Sequence, residues 1–183
     1  IANTLWAYAT LGVVPGADLL GGLLPQVLSF LRGGDFDDQQ LAQLHLFLVF
    51  LKLETPPDDA RIDGVAALEE MLGDAGRAAA AEADITVSDT QRQVVASLKR
   101  LGHECEEEAT DPVSGYSIDV ILKPFKGDSR VVAIEVDGPF HFLKNVRKPN
   151  GNTLLKRRLL GKLGYRVVSV PHMEWDFKKE DEQ

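Results

Sequence analysis

Cysteine occurs once, at Cys105, in a chain of 183 residues, so an internal disulfide and any zinc site built from cysteines are ruled out. Nor is there an uninterrupted apolar run of the ~18 residues that a membrane-crossing helix needs. A third gap is local. After Asp137 no acidic residue occurs until Glu174. The total charge of −8 would not lead one to expect this. Residues 1–118 carry 7 basic side chains against 19 acidic ones, whereas residues 138–173 carry 8 basic and no acidic ones. Screening confines electrostatic attraction to about 8–10 Å, so a locally cationic surface can grip a polyanion even on an anionic chain. The alternative is a basic helix face that only keeps the protein in solution.

The remaining composition, 44% hydrophobic and 26% charged, supports one or two domains with true cores. The chain begins at Ile1 in mid-pattern, which reads as a piece of a longer protein whose targeting segment would lie upstream. "IANTLWAYATLG" puts Ile1, Leu5, Tyr8 and Ala9 on one helical face, with Gly12 as terminator and Trp6 as a core residue. A second helix is expected over residues 23–31, closed by Gly33 and Gly34. A third starts at Asp37 or Asp38 and is apolar almost all round, as for a helix packed on several sides. The first and third helices echo each other at a spacing of 40 residues: Ile1-Ala2-Asn3 against Leu41-Ala42-Gln43, and Leu11 against Leu51. Helical-hairpin solenoids have periods of that size, though two ordinary amphipathic helices would give the same pattern. Residues 1–60 are therefore expected to be helical repeat, and residues 61–84 a helix followed by an alanine-rich linker.

A second unit is expected over residues 85–178, with 179–183 as a tail. Ser88 caps a helix with Gln91 at the third position of a capping box, and Val94, Val95, Leu98 and Leu101 form its buried stripe. Glu106, Glu107 and Glu108 read as a solvated edge. A β-hairpin follows, residues 116–123 and 130–136 around a "KGDS" turn, then a capped helix and a strand over residues 166–170. Strand, helix and strand in that order make a right-handed parallel crossover.

Glu135 and Asp137, two apart, share a sheet face, and strand pairing can bring Asp119 beside them. Three carboxylates at a sheet end can bind Mg²⁺, which would stabilise the attacking and leaving oxygens of phosphodiester cleavage, with Lys156 adding positive charge. This arrangement resembles the PD-(D/E)XK nuclease core. Here, however, Glu135-Val136-Asp137 has an acid where that pattern has lysine, which leaves open which group would activate water; very-short-patch-repair-like nucleases carry a related Asp-Gly pair.

A more specific likeness covers residues 90–176. "QRQVVASLKRLGHECEEE", "GYSIDVIL", "VAIEVDGPFHF" and "GNTLLKRRLLGKLGYRVVSVPHMEW" resemble a RAP domain in order, spacing and consecutive identities. The resemblance implies an α+β chain: N-terminal all-α helical repeats, then a small α/β nuclease-like RAP domain. It also implies RNA work in a mitochondrion or chloroplast, since such domains usually follow helical repeats in FAST-kinase-domain and octotricopeptide-repeat proteins. Lys144, Arg147 and Lys148 on a loop, with Lys156, Arg157, Arg158 and Lys162 on the helix, are the candidate phosphate contacts, and His141 is a further one. Each phosphate contact would add about 0.7 to the salt slope on single strands. Phe140, Phe142 and Trp175 can stack on bases, although Trp175 and Tyr116 read first as packing residues.

Three functions remain in view. The first is a non-catalytic RNA-binding module for RNA processing, stability or translation, within a ribosomal particle or outside one, needing no cofactor. The second is an Mg²⁺-dependent ribonuclease using Asp119, Glu135 and Asp137. The third is a scaffold whose acidic helices bind ribosomal or other proteins, with only the basic loop touching RNA. None requires a membrane.

Overall fold

The protein is described by a computed structural model that covers residues 1–63, 65–82, 88–124 and 130–175. It is an α+β chain divided into two units, Ile1–Ala83 with Pro112–Tyr116, and Asp84–Asp111 with Ser117–Gln183.

The first unit is helical: α1 (Ala2–Leu11), α2 (Ala17–Gly33), α3 (Asp38–Glu54), the single-turn α4 (Ala60–Asp63) and α5 (Ala66–Glu82). α3 is its axis, packed against both α1 and α5. Ten consecutive residues, from Ala42 to Leu51, are buried, with Phe47 and Phe50 wholly enclosed. Each leucine, valine or phenylalanine so buried contributes about 1.5–3 kcal/mol by leaving water. The helix starts where a capping box dictates: Asp37 accepts from the Gln40 N–H at 2.8 Å, and the Gln40 side chain accepts from the Asp37 N–H at 3.1 Å. Gly12 and Gly34 end α1 and α2 in the left-handed conformation.

Two expectations need correction. α2 begins at Ala17 rather than near Leu23, because Gly21 and Gly22 are carried inside the helix instead of breaking it. The alanine-rich stretch is not a linker but the second half of α5, after a kink at Gly73 (φ 48°, ψ −136°), in keeping with alanine's high helix propensity. The 40-residue echo holds at Ala2 and Ala42, both buried, and fails at its end, where Leu11 is 76% exposed and Leu51 fully buried.

The second unit runs α6 (Asp89–Arg100), β1 (Cys105–Thr110), β2 (Ser117–Leu122), β3 (Val132–Asp137), a 3-10 turn (Pro139–His141), α7 (Gly151–Lys162) and β4 (Arg166–Pro171). The sheet order is β1-β2-β3-β4, antiparallel up to β3, with β4 added parallel through α7. The "KGDS" turn lies outside the described residues. Val95 of α6 meets Val120, Leu122, Val132 and Ile134 in the core on one sheet face. Alternation then sends Glu135 and Asp137 to the opposite face, over which α7 lies. Glu106 and Glu107 are exposed on β1, the outer strand, while Glu108 turns in with φ 52° to accept from Ser117 Oγ at 3.0 Å and from Gln91. Gln91 therefore does not close the expected capping box: Ser88 accepts from its N–H, but its side chain reaches β1 and the Asp119 carbonyl.

Candidate nucleic-acid interface

β3 lies between β2 and β4, and every one of its residues is buried, its two carboxylates included: Glu135 is 2% exposed and Asp137 1%. Charges so deeply placed require partners. α7 supplies them. Its N-terminus is set by Asn150, whose side chain accepts from the Thr153 N–H at 3.0 Å. One turn on, Lys156 donates to Glu135 Oε2 and Arg157 donates to Asp137 Oδ2. Ser169 Oγ also donates to Asp137 Oδ2 and accepts from Arg157 at 2.7 Å. The parallel register puts Ser169 opposite Glu135. His141, on the 3-10 turn, brings Nδ1 to 3.2 Å from Asp137 Oδ1.

The protonation states follow from this geometry. Burial drives the Glu135 carboxyl up to about 7, against the pull of the Lys156 ammonium and with a push from the Asp119 charge. Its Oε1 is buried without a hydrogen-bond partner. Burial also raises Asp119, which Lys156 and the Val136 N–H, donating to its Oδ2 at 2.6 Å, pull back. For Asp137 burial is again the largest influence and again upward, but hydrogen bonds from His141 and Ser169 and the Arg157 guanidinium together outweigh it and hold the acid below its usual value. The bond to Asp137 raises His141, with burial opposing.

The structure thus gathers Asp119, Glu135, Asp137, His141, Lys156 and Arg157 into one cluster of opposed charges. It does not give the arrangement that Mg²⁺ asks for. Among the described residues no group of three or more His, Cys, Asp or Glu side chains is placed to hold a metal. Each β3 carboxylate already holds a protein cation, and the Asp119 oxygen holds a backbone N–H. The donor set does not fit a resident hard cation.

The basic run divides accordingly. Lys156 and Arg157, expected at the RNA surface, are turned inward because the β3 acids need counter-charges. Arg158 is half-buried and Lys162 exposed. Lys144, Arg147 and Lys148 are exposed on the loop between the 3-10 turn and α7. Hydrogen bonds give this loop its shape: Leu143 N–H to Lys148 O at 2.9 Å, Lys148 N–H to Val146 O at 2.8 Å, and Asn150 Nδ2 to Phe140 O at 2.8 Å. Trp175 is a packing residue, half-buried and donating to Gln93 at 3.2 Å. Sequence reasoning missed Ser169 and His172, whose Nδ1 is 3.2 Å from the Asp137 carbonyl oxygen. The signal for Ser169 was the parallel register of β4 on β3. His172 carried none.

No described helix is long and apolar enough to cross a membrane. In an alignment of 182 positions that covers 96% of the chain, it is 34% identical to a "RAP domain-containing protein, chloroplastic" from Oryza sativa subsp. japonica. It spans 27% of that relative. Residues 134–183, which include both β3 carboxylate pairings, the cationic loop and α7, match the RAP domain family.

Proposed function

We propose that the second unit binds RNA, and that the chain serves RNA processing, stability or translation in an organelle. The observation that carries this reading is the display of Lys144, Arg147 and Lys148 on a shaped loop of a RAP domain, within a stretch from residue 138 to 173 that contains no acid. Cations that meet no carboxylate among the described residues are available to a polyanion. The chloroplastic relative supports the organellar setting. RNA is held here rather than cut: Glu135 and Asp137, the acids that cleavage would call on, are already paired with Lys156 and Arg157. The acidic helices of the first unit are the surface for a protein partner, ribosomal or other.

The test is titration of labelled single-stranded RNA across a range of salt concentrations, wild type against a Lys144→Ala, Arg147→Ala, Lys148→Ala triple variant. With each contact adding about 0.7 to the slope, the variant should lose about 2 in the logarithmic salt dependence. Equal slopes would remove the loop from the interface.

A further inference from the structure

The loop that carries the cations also walls a groove of about 560 Å³. That volume falls within the range of sites that enclose a small ligand. Its lining mixes two kinds of group. Phe140, Phe142, Leu143 and Val146 give an apolar surface, and Lys144 and Arg147 stand among them. Phe140 is 93% exposed, so a whole aromatic ring faces solvent. Phe142 is fixed differently. It meets His172 edge to face, with ring centres 5.8 Å apart, and bridges to Pro149, closing the base of the loop. His172 is held in turn by its contact with the Asp137 carbonyl, so the charge cluster and the groove share one wall.

An exposed ring within a purely cationic stretch of chain has a chemical counterpart in single-stranded polynucleotide, where each flat base is flanked by phosphates. An acidic peptide would satisfy the cations but leave the ring without a planar partner, and an apolar peptide would leave the cations without charge. We infer that this groove takes one unpaired nucleobase of a single strand, stacked on Phe140, with the flanking phosphates on Lys144 and Arg147. The inference rests on the RNA-binding reading above and adds the subsite to it. The loop's internal hydrogen bonds preform the site, so little ordering is needed on binding.

The experiment compares a short fluorescein-labelled oligouridylate with an abasic oligomer of the same length, each titrated with the whole chain. Phe140→Ala should weaken the oligouridylate by about fivefold to a hundredfold, the usual consequence of removing one stacking ring, and leave the abasic oligomer unchanged. Phe140→Trp should keep wild-type affinity and show quenching of the new indole on binding. Lys144→Ala with Arg147→Ala should weaken both oligomers alike and lower the salt slope by about 1.4. If the oligouridylate binds wild type and Phe140→Ala equally, the base subsite is wrong while phosphate binding stands, and the groove belongs to a protein ligand instead. If wild type binds neither oligomer, the subsite and the RNA reading fall together. Phe140 is so exposed that its replacement should leave the melting temperature unmoved, which separates loss of contact from loss of fold.

Discussion

Replacing Glu135 by glutamine should stabilise the second unit, and only above mildly acidic pH. The carboxyl titrates at 4.5 when unfolded and at about 7 when folded. Below pH 4.5 both states hold the proton and the residue has no effect on folding. As pH rises, the unfolded chain gives up the proton first, so the folded state binds more protons and stability falls, levelling off once pH passes about 7. At about 1.4 kcal/mol for each unit of difference, the loss between pH 5 and pH 8 comes to about 2–3 kcal/mol. Glutamine has the shape of the protonated acid and no charge to desolvate, so Glu135→Gln escapes that loss. Urea unfolding at the two pH values, read by Trp175 fluorescence in a Trp6→Phe background, should show the variant's advantage growing by that amount. Lys156→Met should shift the wild-type inflection to higher pH, since the carboxylate loses its cation. Stability curves of wild type and Glu135→Gln that stay parallel from pH 5 to pH 8 would mean that no buried ionisation sits at this position.

Arg157→Met removes the guanidinium from an Asp137 that is 1% exposed, and should lower the stability of the second unit by about 3 kcal/mol in the same unfolding assay; Arg157→Lys should recover only part, since its shorter side chain must bring the ammonium to the point from which a single guanidinium nitrogen meets both Asp137 and Ser169. Asp37→Ala strips the N-cap from α3 and should cost about 1 kcal/mol, measured by Trp6 fluorescence in urea. Gly115→Ala would put a Cβ 2.6 Å from the Arg77 carbonyl oxygen at a φ of +76°, so the first unit should lose more than about 1 kcal/mol, with Gly164→Ala (φ 101°, open space) milder because only its backbone is strained.

Several helix boundaries were legible from local signals in the sequence, although the Gln91 half of the expected capping box was not formed. Asp37 before α3, Ser88 before α6, and Gly12 and Gly34 after their helices each set a boundary through bonds within a few residues. The hairpin and crossover were legible because alternating apolar residues and a glycine-terminated helix leave few ways to pair. Composition misled where it competed with packing: Gly21 and Gly22 in α2, and the alanines of α5, which look like punctuation and are helix. At the site, the carboxylates and cations were visible but not which faced which. That Lys156 and Arg157 turn inward follows from the burial of β3, and burial on both faces is a property of the folded sheet rather than of the stretch "VAIEVD".

Neighbouring positions on α7 hold alternate positions on β3, and this constrains how such a chain can vary over generations. A lone swap of acid for base at Glu135 or Asp137 would set like beside like in a buried place, whereas the same swap matched at Lys156 or Arg157 restores neutrality. Drift at these four positions is thus expected to travel in couples, leaving the outward loop to change one letter at a time.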